Sequence, residues 1–147
     1  MQSPLQQRIQ IISRQLRELS GLYREPLRIR EISENEFWVW HALIALRETM
    51  TQQDICSVYA LPKQTVNTIV AGMVRSGYAL LETVPGTRNR KIIRLTPAGL
   101  ARGQSIVEPV FAAEQRAFAR LPEEDQTAFL HFLQNYTALL KEELHEI

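Results

Sequence analysis

Between Lys63 and Arg90 the chain carries side chains suited to one kind of chemistry, the recognition of a polyanion with readable edges. Lys63, Gln64, Thr65, Asn67, Thr68 and Arg75 fall on the open side of a segment in which Val66, Ile69, Val70, Met73 and Val74 recur at helical spacing. Amide side chains can bond base edges at two points, while lysine and arginine neutralise phosphate. The amides and hydroxyls gather in the N-terminal half of this segment, the part of a recognition helix that reaches into a major groove. Arg88 and Arg90 follow in a turn between two short strands, a position from which arginines enter a minor groove or hold phosphate. A solvated helix face with two loop charges would carry the same residues, so the elements around them decide between the two.

Those elements are legible on both sides. Thr51 followed by Asp54 is a capping-box pattern, and it opens a helix whose apolar side is Ile55, Cys56, Val58 and Tyr59. Ala60-Leu61-Pro62 breaks that helix, and Pro62 suits a first helical position before the segment starting at Lys63. Gly77 stands where a left-handed cap ends the second helix. Tyr78 to Thr83 reads as a strand, Pro85-Gly86 as the centre of a type II turn, and Lys91 to Leu95 as the returning strand. Alternation puts Ile93 and Leu95 on one face of that strand, Arg90 and Arg94 on the other. Two helices with a tight break are thus followed by a hairpin with a basic tip.

Upstream, Leu5, Ile9, Ile12, Leu16, Leu19 and Tyr23 form one helical seam, which either packs on its own domain or is shared with a second chain. Gly21 and Pro26 mark the end of that helix. Ser33 and Glu36 form a second capping-box pattern, and Phe37, Trp40, Leu43 and Ile44 face one way along the helix that follows. Downstream, Thr96 and Pro97 open a helix running to about residue 120. Pro122 and three acids open another, with Phe129, Phe132, Leu133, Tyr136, Leu139, Leu140 and Leu144 on its broad apolar face. That face is too wide for a terminal helix with nothing to cover it.

Thr51-Gln-Gln-Asp-Ile, Leu61-Pro-Lys-Gln-Thr-Val-Asn67, Gly77-Tyr78 and Leu95-Thr96-Pro97-Ala98-Gly99 together resemble the MarR family of winged-helix transcription regulators, in order and at the family's spacing from about residue 33 to 99. The resemblance implies a mainly α fold with a small β-wing, as one domain over 1–147. A winged helix-turn-helix would occupy 33–96, and dimerisation helices would occupy 1–32 and 97–147. It further implies a homodimer that binds a pseudopalindromic double-stranded DNA operator through Lys63, Gln64, Thr65, Asn67, Thr68, Arg75, Arg88 and Arg90, acting as a repressor and released by a small aromatic or phenolic ligand. Trp38, Trp40 and His41 are the candidates for touching that ligand, although aromatics at helical spacing otherwise serve as core. The family's Asp-x-Arg wing pair falls on Thr87 and Asn89, so either Arg88 or Arg90 takes over the arginine's place.

Composition sets bounds on the alternatives. With 147 residues the chain has room for one cored domain but not for a separate enzyme domain beside a DNA reader. Its net charge is only +1, yet residues 61–100 hold six basic side chains against one acidic, and a polyanion responds to that local field. No apolar run is long enough to span a bilayer and the N-terminus lacks a secretion pattern, which points to the cytoplasm. The single cysteine, Cys56, reads as a small core residue; no metal cluster, cofactor loop or hydrolase motif accompanies it. A non-enzyme is expected. The rival reading is a winged helix that binds protein rather than DNA, whose mark would be an apolar open face.

Overall fold

The computed structural model describes residues 2–46 and 49–147. Its elements are α1 (Pro4–Gly21), α2 (Arg24–Ile29), α3 (Glu34–Ala45), α4 (Gln52–Tyr59), α5 (Lys63–Arg75), β1 (Ala79–Thr83), β2 (Lys91–Leu95), α6 (Pro97–Phe118) and α7 (Glu123–His145). The chain divides into two compact units, Met1–Val107 and Glu108–Ile147. The division falls inside α6 next to Pro109, a residue with no N–H to give the helix ladder.

Among the described residues, the buried apolar side chains all lie between Leu27 and Val107, in the first unit. Helix α3 is their centre, because α2, α4 and α5 all pack against it. It therefore buries Val39 and Ala42 as well as Phe37 and Trp40, a wider face than the expected Phe37-Trp40-Leu43-Ile44 stripe. Ile55 from α4, Val66, Val70 and Met73 from α5, and Ala79 and Ile93 from the strands are buried in the same core.

The helix ends follow from their caps. Thr51 and Asp54 form the expected capping box of α4. Ser33 caps α3 by accepting the Glu36 N–H, but the reciprocal bond is not made, because the Glu36 carboxylate turns to the Trp40 indole N–H at 3.3 Å. Gly77, at φ 76°, lets the Tyr78 N–H return to the Met73 carbonyl at 2.8 Å, a Schellman closure of α5 that a side chain would strain. Pro62 is the N-cap of α5 rather than its first residue. Pro26 does not end α1. It sits in the first turn of the short helix α2, where the missing N–H costs nothing.

β1 and β2 pair antiparallel from Ala79↔Leu95 to Thr83↔Lys91. Beyond the last pair, the Val84 N–H bonds the Arg90 carbonyl at 2.8 Å and the Thr87 N–H bonds the Val84 carbonyl at 3.1 Å, with Gly86 at φ 78° as a type II turn requires. The hairpin then runs into α6 through a close junction. Thr96 donates its hydroxyl to the Gly77 carbonyl at 2.7 Å and accepts the Gly99 N–H at 3.0 Å, while Gly99 lies directly against the Tyr78 carbonyl group.

Candidate nucleic-acid interface

Helices α4 and α5 are joined by Ala60, which takes the left-handed conformation at φ 51°, followed by Leu61 and the extended Pro62. That turn aims α5 outward with Val66, Val70 and Met73 in the core and the opposite side in solvent. Lys63, Gln64, Thr68 and Arg75 are exposed, and Thr65 and Asn67 are half-buried at the margin. Thr68 returns its hydroxyl to the Gln64 carbonyl at 3.0 Å, so in this state it faces its own helix.

A concave groove enclosing about 340 Å³ runs between α4, the start of α5 and the hairpin, lined by Thr51, Gln52, Gln53, Cys56, Lys63, Asn67, Leu81, Asn89, Arg90 and Lys91. Three of the residues expected from sequence, Lys63, Asn67 and Arg90, meet there. Gln64, Thr65, Arg75 and Arg88 are not among its walls, and Thr68 instead lines a second groove behind α5 with Glu36, Trp40 and Arg102. The groove also recruits Gln52, Gln53, Asn89 and Lys91, which are not among the contacts expected from the sequence. Gln52 and Gln53 follow the cap of α4, and Lys91 opens β2, so their signal lay in where the elements begin. Cys56 is not the core residue its spacing suggests: it is half-buried on the groove wall, and Val58 is exposed, because Ile55 is the buried residue of α4.

The cations differ in their freedom. Arg94 is bound to Glu82 at 2.7 Å on the outer face of the hairpin, and Arg90 lies 3.4 Å from Asp54 of α4. Lys63, Arg75, Arg88 and Lys91 form no ion pair among the described residues. Asp54 is held below the usual carboxylate range, chiefly by the Thr51 backbone N–H; partial burial opposes this, and the Thr51 hydroxyl and Arg90 add to it.

Trp38 and His41 meet edge-on at 5.3 Å, and Trp40 lies apart from them. Trp40 is 1% exposed, edge-on to Tyr78, with its indole bonded to Glu36. Trp38 stacks on Tyr59 at 5.6 Å and meets Tyr23 at 5.9 Å, while His41 Nδ1 lies 2.6 Å from the Tyr59 hydroxyl. Positions 38 and 40, two residues apart on α3, point to opposite sides of the helix, whereas 38 and 41 share one. Burial raises the Tyr59 phenol above its ordinary value.

No family model and no curated relative matches the chain. Solved structures do. A MarR family regulator from Neisseria meningitidis superposes with a TM-score of 0.82 at 19% identity, over 95% of this chain and 97% of that one. S. aureus MepR in its DNA-binding conformation gives 0.78 at 20% identity, over 88% and 98%. BpsR of Bordetella bronchiseptica, whose DNA binding is regulated by 6-hydroxynicotinic acid, gives 0.69 at 18% identity, over 89% and 98%. The chain has the winged-helix fold of MarR family regulators, mostly helical with a two-stranded wing. Among the described residues, no helix is long and apolar enough to cross a membrane, and no cluster of side chains could hold a metal ion.

Proposed function

We propose that this chain is a MarR-type transcription regulator of the cytoplasm, a non-enzyme that binds a pseudopalindromic operator as a homodimer and represses by occupying it. The observation that carries this reading is the groove in which Lys63 and Asn67 of the recognition helix meet the wing residues Asn89, Arg90 and Lys91. Seven of its ten lining residues are amides or cations, the groups that bond base edges and phosphate, beside Thr51, Cys56 and Leu81, and the open face of α5 is mainly polar. A protein-binding winged helix would need apolar surface there.

Two copies of α5 enter successive major grooves about 34–36 Å apart. Apolar surface for the second copy is available. None of the 18 residues of α1 is buried, although Leu5, Ile9, Ile12, Leu16 and Leu19 recur along it. α7 likewise buries none of its 23 residues and exposes Phe129, Leu133 and Leu140. Helices of this length draw their stability from packing an apolar face, and a twofold mate supplies one.

A small aromatic acid is the proposed releasing ligand, by analogy with BpsR. Trp38 and His41, half-buried at the edge of α3, remain its candidate contacts; Trp40 serves the core. Such a ligand must bind the DNA-incompetent state more tightly, since equal affinity shifts nothing. The deciding experiment is selection of genomic duplexes by the purified protein, followed by affinity across a salt series. A recovered inverted repeat whose binding falls steeply with salt supports the proposal, and indifference to duplex and salt sinks it.

A further inference from the structure

The sequence leaves open which wing arginine faces nucleic acid, and the two are not equivalent in the fold. Arg90 stands at the base of the wing, where its carbonyl closes the hairpin against the Val84 N–H at 2.8 Å. Its guanidinium reaches back 36 residues to Asp54 Oδ1 at 3.4 Å. The same side of the wing is stitched to the stretch before α4, by an isolated bridge between Thr51 and Ile92 and by the Ile93 N–H bonding the Met50 carbonyl at 2.9 Å. Asp54 in turn is fixed by the Thr51 N–H at 2.8 Å. Arg88 lies two residues further out, exposed and without an ion pair or hydrogen bond among the described residues.

We infer that Arg90 is a positioning residue that latches the wing to α4 through Asp54, and that Arg88 is the arginine the wing offers to the DNA backbone or minor groove. The inference rests on the DNA-binding reading above. A latch removes wing orientations that cannot reach the duplex while α5 is seated, so its loss weakens binding without removing a phosphate contact. Half-exposed side chains, 50% for Arg90 and 36% for Asp54, keep the effect modest. An exposed pair of this kind corresponds to about a two- to fivefold change per protomer.

The experiment compares wild type, Arg90→Ala, Arg90→Lys, Asp54→Asn, the Asp54→Asn/Arg90→Ala double variant and Arg88→Ala. It reads duplex affinity across a salt series together with amide exchange at Ile93. Arg90→Ala and Asp54→Asn are each expected to weaken binding about two- to fivefold per protomer, with the double variant no worse than either, Arg90→Lys largely restored, and the salt slope kept. Ile93 exchange speeds up in both single variants. Arg88→Ala lowers the slope by about one per protomer and leaves Ile93 exchange alone. Asp54→Asn is the sharpest arm. Were Asp54 merely a repulsive charge near phosphate, neutralising it would tighten binding, and that result overturns the latch. An Arg90→Ala slope loss equal to that of Arg88→Ala overturns it too, as does unchanged Ile93 exchange. A wild type that binds no duplex overturns the proposed function and the role of Arg88, while Ile93 exchange still decides the latch.

Discussion

Thr51 and Asp54 close the first turn of α4 from both sides: the Asp54 N–H donates to Thr51 Oγ1 at 3.1 Å, and the Thr51 N–H donates to Asp54 Oδ2 at 2.8 Å. The second bond favours the ionised carboxylate, which is why Asp54 is held below the usual range. A carboxyl lowered by folding stabilises the fold above its unfolded value, and that contribution disappears as pH falls through the lowered value. Urea unfolding of wild type and Asp54→Asn between pH 7 and pH 2 checks this. The stability gap should be constant near neutrality, begin to close around the ordinary aspartate range of about 4, and vanish only below it. A gap that does not narrow at all as pH falls from 7 to 2 would assign the variant's effect to something other than charge.

Gly99 is expected to tolerate no side chain. A Cβ there would sit 2.8 Å from the Tyr78 carbonyl carbon and closer still to its oxygen, and neither backbone group can swing away, since the same carbonyl accepts the Thr96 N–H at 3.0 Å. Gly99→Ala should therefore cost about 1–3 kcal/mol. Chemical denaturation reads it directly, and a loss below about 0.5 kcal/mol would show that the junction relaxes.

The reverse holds at Ala60, where a non-glycine residue occupies the left-handed region at φ 51°. Ala60→Gly relieves that conformation and should raise stability by about 0.5–1 kcal/mol after the added freedom of the unfolded chain is counted. The turn keeps its geometry, so operator affinity is expected to stay at the wild-type value. A fall in affinity would mean that Ala60 contributes more than its backbone.

Local signals made most of this fold legible. The Thr51–Asp54 box, Gly77, the Pro85-Gly86 turn and Thr96-Pro97 each act within a few residues, and each lies where the spacing predicts. What was not legible depends on which neighbour lies across the gap. Glu36 leaves its capping role because Trp40 offers an indole one turn on, and Cys56 becomes a wall residue because the wing folds over α4. The difference between Arg88 and Arg90 needs a partner 36 positions away, beyond any pattern of spacing.

Leu16 is the residue on which proposed assembly can be tested. It is exposed on α1 in the single chain, at the middle of the apolar seam. Leu16→Asp removes about 1.5–3 kcal/mol of burial per protomer and adds a charge with no partner in that seam. Sedimentation at micromolar concentration should show dimer for wild type and monomer for the variant, with operator binding lost in parallel. An equally dimeric variant would place the twofold interface elsewhere.

Asn67 carries the test of base reading. It is half-buried and lines the groove together with Lys63. Lysine at position 63 can neutralise phosphate from many directions, whereas an amide discriminates only by presenting its donor and acceptor to one base. Asn67→Ala should therefore cost about 1–3 kcal/mol on the operator, far less on random duplex, and relax preference at one position per half-site. Lys63→Ala should weaken both duplexes evenly and reduce the salt slope by about one per protomer. Competition between operator and single-base variants at two salt concentrations separates the two. If Asn67→Ala lowers operator and random binding by the same factor, position 67 is a backbone contact, and the search for the specificity residue moves to Gln64 and Thr65.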